Sequence, residues 1–371
     1  MEDTIYTRLI DSLNMRGGAV LPIKCPEFYS LLRELFTAEE ADLFTKMPFG
    51  HAAADEIARA AQMDTGQADA ILDRMAGKGL IIYSYRDGGR KFYKTLTLVP
   101  GIFEYQFLKG ETGERDKKIA RLFHDYFHAM SRHASPSEGA RGPSVPFSRV
   151  IPVEEDITAN TEVLPYELLM PYLETTDCIT VSTCYCRHHA DLIGEGCGKI
   201  KDVCLSLGHS ARFAIEKGFG RQITPQEAKE ILRRSEEAGL VHIVSNTSKR
   251  IDFICNCCVC HCGPLRSMKM LQEAGGETMG YALGANSSYI VQVDQESCQG
   301  CGTCVERCPM EALSLKDDMA ERDSGRCIGC GLCVSVCPTE SLEMVLRADR
   351  KVPPKNNTEL LAAMIDSMQQ S

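Results

Sequence analysis

The chain has 371 residues, is 44% hydrophobic, contains 19 cysteines and carries a net charge of −10. That length allows two or three domains and is not that of a small secreted disulfide scaffold. The acidic balance disfavours general attraction to nucleic acid. No apolar run approaches the roughly 20 residues of a spanning helix, and the acidic MEDTIYTRLIDSLNMRGG lacks a signal-peptide core, so a soluble, cytoplasmic protein with no membrane span is expected.

Residues from about 26 to 108 read as a winged helix. FYSLLRELF and AEEADLFTKM are two helices, and AAADEIARAA is a third with Ala53, Ile57 and Ala60 on one face. Asp64 and Thr65 are N-cap candidates for TGQADAILDRMAGKG, whose stripe is Ala68, Ile71, Leu72 and Met75 and whose end is Gly79. LIIYSY and KFYKTLTL form a hairpin across RDGG, completing the order helix, turn, helix, hairpin. The candidate recognition helix carries Asp69, Asp73, Arg74 and Lys78, which cancel, whereas phosphate attraction needs a basic face. Only the wing is basic, with Arg86, Arg90, Lys91 and Lys94 against Asp87. Protein docking is therefore expected ahead of DNA binding.

Residues 111 to 133 make one amphipathic helix with Ile119, Leu122, Phe123, Tyr126, Phe127 and Met130 in a stripe. ASPSEGARGPSVPFS follows as a linker. Beyond it, TTDCITVSTCYCRHH reads as a strand entering a cysteine turn, and VCLSLGHSARFAIEKG as a helix. Thr224, Pro225 and Glu227 open another helix as a capping box, closed by Gly239. LVHIVS and IDFIC are strands, the second running into CNCCVCHC. Two cysteine sets result: Cys184, Cys186, Cys197 and Cys204, then Cys255, Cys257, Cys258, Cys260 and Cys262. Strand alternation points Cys255 and Cys257 one way while Cys258 starts a turn. Cysteine singly is a small hydrophobe, but nine thiols in two tight groups imply metal ligation. Iron–sulfur is favoured over zinc, with one or two clusters whose grouping the spacing leaves open. Arg187 and Arg266 either stabilise cluster charge or make ordinary surface salt bridges. His188 and His189 read as solvated turn side chains, and Cys25 and Cys178 as structural.

Seventeen of the cysteines lie between Cys184 and Cys337. The last eight form two runs spaced C-x2-C-x2-C-x3-C-P, at Cys298, Cys301, Cys304, Cys308 and at Cys327, Cys330, Cys333, Cys337. This is the spacing for two [4Fe–4S] clusters, in which the fourth cysteine of each run ligates the other cluster. Cluster I is then expected on Cys298, Cys301, Cys304 and Cys337, and cluster II on Cys327, Cys330, Cys333 and Cys308. ESCQGCGTCVERCPMEAL and GRCIGCGLCVSVCPTESL also match outside the cysteines, implying two copies of one unit. C-x2-C pairs also bind zinc, but the doubled C-x3-C-P argues against it. Residues 294 to 343 hold ten acidic and four basic side chains, so this segment should dock on a basic partner.

Residues 290 to 345 resemble bacterial two-cluster ferredoxins. The C-x-C-R turn, the VCLxLG step, the EEAGLVH helix end and the ICNCC strand, with this tail, resemble anaerobe 4Fe–4S ferredoxin-type proteins over most of the chain. That resemblance implies an electron carrier. It places a glycine and a cysteine where Val259 and His261 stand, so His261 either ligates through nitrogen or sits outside.

The reading is α+β and multidomain. A winged helix with its trailing helix spans 1–133, a linker 134–150, a cysteine-rich α/β middle domain 151–290, a 2[4Fe–4S] ferredoxin-like domain 291–345 and a tail 346–371. No G-x-G-x-x-G, P-loop or hydrolase motif is present, and no catalytic residue is assigned. An electron-transfer component working between redox partner proteins is expected, not a self-contained enzyme. A redox-sensing winged-helix DNA-binding regulator and a reductase with substrate at an open iron are the alternatives.

Overall fold

A computed structural model describes residues 2–86, 88–133, 145–157, 163–273 and 284–369. Most of the predicted linker, residues 134–144, and Asp87 of the hairpin turn lie outside the described residues. The chain forms two compact units interleaved in sequence. One holds the N-terminal residues up to 133 with Ser182–Lys201 and His209–Gln222; the other holds the described residues from 145 to 181, Asp202–Gly208 and those from Ile223 on.

In the first unit, Thr37 and Glu40 make a reciprocal capping box that starts the helix Ala38–Lys46. The next helix is Ala54–Ala61 and buries Ile57, Ala58 and Ala61. It begins after Ala53, which instead belongs to β1 (Ala52–Ala53). Packing on the Ile57, Ala58 and Ala61 side leaves Ala60 exposed, correcting the expected face. Asp64 caps the helix Thr65–Gly77 by accepting from the Gln67 amide at 3.1 Å. Gly79 follows at φ 70°, where an added Cβ would lie 2.3 Å from Tyr105. β2 (Ile81–Arg86) and β3 (Arg90–Thr95) then pair antiparallel, with β1 on the other side of β3. The helix Glu114–His133 buries Ile119, Phe123 and Tyr126.

In the second unit, β4 (Ser148–Ile151), β5 (Asp202–Leu207), β6 (Val241–Ser245) and β7 (Phe253–Cys257) lie in the order β4–β6–β7–β5, all antiparallel. Gly284–Ala285 pairs in parallel with β4. The predicted helix over VCLSLGHSARFAIEKG is corrected: its first part is β5, and only His209–Glu216 is helical. Gly208 at φ 58° separates the two, and Val203, Leu205 and Leu207 are buried as strand residues. β8 (Tyr289–Val293) pairs with β11 (Leu342–Leu346), and β9 (Leu313–Lys316) with β10 (Met319–Arg322). One apolar core joins this sheet to the tail: Val150, Ile243 and Cys257 pack in the same cluster as Tyr289, Cys304 and Cys333. No described helix is long and apolar enough to cross a membrane.

Candidate metal centres

The two cysteine runs fold alike. In each, a glycine opens a single turn: Val305 N donates to Gly302 O at 2.9 Å, and Val334 N to Gly331 O at 2.7 Å. The glycines at 300 and 329 sit at φ 64° and 70°. A Cβ would come within 1.9 Å of Asp318 O at the first and 2.0 Å of Tyr289 O at the second. Only glycine lets the loops close this tightly while keeping three sulfurs on one side. After the last cysteine of each run, Glu311 and Glu340 take left-handed φ of 53° and 52°, and their amides donate to Cys308 O and Cys337 O at 3.3 Å.

The fourth sulfur of the second run, Cys337, joins the sulfurs of the first. Cys298, Cys301, Cys304 and Cys337 line one cavity that opens to solvent, with Leu315 and Ser341 also on its wall. Burial pushes the Cys304 thiol up, and its sulfur neighbours are Cys337, Cys301 and Cys298. On the other side, burial pushes the Cys330 thiol up to about 12, with Cys308 and Cys327 adding to the effect. Burial likewise holds the Cys333 thiol well up, beside Cys330, Cys308 and Cys327. Neutral thiols packed in this way become thiolates on binding a cation, whose charge reverses the penalty. Two tetrads of sulfur, each in a glycine cradle, suit a four-iron cubane.

Residues 291–344 match the family described as a 4Fe-4S dicluster domain. A probable ferredoxin from Methanosarcina thermophila is 48% identical over 29 residues, 8% of this chain and 50% of that protein. The chain thus spans about half the length of the curated relative it matches.

The chain carries a ferredoxin-type 4Fe–4S domain.

Around this ferredoxin domain the second run is packed inward. Val153 N donates to Cys330 O at 3.0 Å, and Ser287 Oγ donates to Gly329 O at 2.7 Å. Arg347, buried, donates through Nε to Tyr289 O at 2.9 Å and through its fork to Cys327 O. Asp156 is buried beside Gly331, and its Oδ2 would lie 3.1 Å from a Cβ there. Burial, then the charges of Glu236 and Glu155, raise this carboxyl to about 7.

The middle cysteines divide by unit. Cys184, Cys186 and Cys197 belong to the first, and the remaining six to the second. Cys184 is the N-cap of the helix Tyr185–Leu192, so the expected cysteine turn is helical from Tyr185 on. Arg187 on that helix is 1% exposed, which corrects the surface salt-bridge alternative for it; Arg266 is exposed. His188 and His189 are not solvated turn residues. His188 Nε2 lies 2.8 Å from Glu111 O, and His189 Nε2 lies 3.0 Å from Ala120 O against the rings of Phe103 and Phe107.

CNCCVCHC presents two faces. Cys257 shares hydrogen bonds with Cys255 and Cys262, which together with burial push its thiol well up. β7 pairs with β5 through Ile254 and Leu205, so Cys204 and Cys255 each adjoin a residue of that pair in sequence. Cys258, by contrast, turns toward His261: the sulfur lies 4.0 Å from Nδ1, and the ligand atoms of Cys258, Cys260 and His261 are all within 4.8 Å of one another. Buried Asn256, between the two faces, donates to Val203 O at 2.7 Å and meets His242 Nδ1 at 2.6 Å. Cys25 and Cys178 are buried.

Three side chains at the ferredoxin sulfurs escaped the sequence reading: Thr303, Thr339 and Ser341. Thr303 Oγ1 lies 3.4 Å from Cys301 Sγ, Thr339 Oγ1 lies 3.6 Å from Cys337 Sγ, and Ser341 Oγ lies 2.6 Å from Thr339 Oγ1. The hydrogen bond with Thr303 lowers the Cys301 thiol. At Cys337, burial acts upward, but the bonds from Thr339 and Ser341 outweigh it. A comparison of the two repeats at non-cysteine positions would have found them.

Proposed function

We propose that this protein is an iron–sulfur electron carrier or subunit that passes single electrons between redox partner proteins. The observation that carries the reading is the pair of sulfur tetrads, each completed by a cysteine of the other run. In this reading Cys298, Cys301, Cys304 and Cys337 hold one [4Fe–4S] cluster, and Cys327, Cys330, Cys333 and Cys308 the other. When bound, such clusters supply reversible one-electron chemistry. The chain's own part is to hold the sulfurs, exclude water from the second tetrad and expose the first.

Cys204, Cys255, Cys257 and Cys262 are the proposed ligands of a further cluster. Cys257 and Cys262 lie in the core shared with the ferredoxin domain and Cys255 packs against it, which supports this. Cys258, Cys260 and His261 then form a separate ligand group on the opposite face. Cys184, Cys186 and Cys197 are cysteines of the same kind whose partners are left open.

The N-terminal helices with the hairpin β2–β3 support a winged helix used for protein docking. Arg90 of the wing is paired with Asp55, and Asp73 of the candidate recognition helix is paired with Lys217 and Lys91. Asp69 accepts from Tyr93 Oη at 2.9 Å. These contacts engage Arg90 and Lys91, two of the four basic side chains of the wing, with acids of the same unit, which weakens the case for a basic phosphate-binding face. No observation favours the DNA-binding or open-iron reductase alternatives.

Iron and acid-labile sulfide per chain, measured after oxygen-free purification with low-temperature EPR of the reduced protein, test the reading. About twelve iron atoms with spin-coupled signals are expected, counting two ferredoxin cubanes and one more. About eight would remove the middle-domain cluster, and none would overturn the function.

A further inference from the structure

The two halves of the ferredoxin domain are copies, so their differences at the sulfurs are informative. With Cys298 aligned to Cys327, Thr303 corresponds to Leu332, Thr339 to Met310, and Ser341 to Ala312. Each of these three hydroxyl residues beside the first tetrad therefore corresponds to an apolar residue in the other repeat. The three polar residues surround Cys301 and Cys337, both first-tetrad sulfurs. Leu332, Met310 and Ala312 are all buried.

Backbone donors do not differ in this way. Ala320 N donates to Cys298 Sγ at 3.4 Å, and Ala312 N to Cys308 Sγ at 3.2 Å. Solvent access adds to the side-chain difference. Cys301 is exposed and Leu315, on the same cavity wall, is 45% exposed, whereas Cys327 and Cys333 are buried.

We propose that Thr303, Thr339 and Ser341 raise the reduction potential at the first tetrad above that at the second, making the Cys301 face the exit for electrons. This rests on the two-cluster reading above. Reduction adds one negative charge, and a hydroxyl can only donate toward an iron-bound sulfur. Donors and water at the sulfurs stabilise the reduced state, while an apolar wall does not. One electron accordingly passes from the second tetrad's site to the first, oxidising one and reducing the other. A one-electron acceptor protein then takes it at the Cys301 face; no bond changes and no proton moves.

The test is a potentiometric EPR titration of the full-length holoprotein. Two resolved one-electron steps are expected. In Thr303→Leu/Thr339→Met/Ser341→Ala, the upper step should move down toward the lower with iron content unchanged, and Thr303→Ser should keep the upper step in place. The reciprocal Leu332→Thr should move the lower step up. ENDOR of the wild-type protein in heavy water should find exchangeable deuterons at the higher-potential centre. A single unresolved midpoint in the wild type overturns the proposal, as does a split that neither substitution moves. Should the triple variant lose iron, Leu332→Thr and the wild-type spectra decide. Iron present without a split defeats only this inference; absent iron defeats the underlying reading.

Discussion

Gly300 and Gly329 show how a single hydrogen in place of a side chain sets up a metal centre. Each touches a backbone carbonyl that cannot yield, since Asp318 O belongs to the tight β9–β10 turn and Tyr289 O to β8. Gly300→Ala should cost stability by roughly 1–3 kcal/mol in backbone strain and halve the ferredoxin iron; iron analysis and urea denaturation check this. Asp156 gives a pH signature. Its carboxyl rises from 3.8 to about 7 on folding. Its contribution to stability is therefore full below pH 3.8 and is lost as pH rises through about 7. Thermal unfolding should show the wild-type midpoint falling from about pH 5 to about pH 8, with Asp156→Asn flattening that fall. An equal slope in both proteins would show that another group titrates.

At the scale of elements, side-chain period decides what each cysteine meets. Along CNCCVCHC, two-residue alternation holds Cys255 and Cys257 together, and the end of β7 frees Cys258 to face His261. The same logic was legible in sequence, whereas the strand–helix break at Gly208 was not, because an apolar run of that length suits either period. The crossed fourth cysteine makes a distinct prediction. Cys337→Ser should weaken the site of the first run, so Cys298→Ser added to it should lose little more iron. Cys327→Ser added to it should lose roughly four irons more. The reverse order, with Cys298→Ser losing roughly four irons more and Cys327→Ser little, would mean that each run keeps its own fourth ligand.

Over the whole molecule, charge and burial act together. Residues 294 to 343 hold ten acidic side chains against four basic ones, and exposed Asp317 and Asp318 form the turn over Gly300. Reduction of a basic one-electron acceptor such as cytochrome c should slow by roughly tenfold or more between low and high salt. A salt-independent rate would exclude acidic docking.

Cysteine spacing by itself determined the ferredoxin-type domain, because three thiolates on one loop need two-residue steps whatever surrounds them. Periodicity likewise determined the N-terminal helices, since a 3.6-residue stripe is a local property. Only tertiary structure decided that the strands holding Cys204 and Cys255 pair, that Arg187 and His188 are buried, and that Thr303, Thr339 and Ser341 gather at Cys301 and Cys337. These follow from strand register, packing and chain crossing, which bring together residues far apart in sequence.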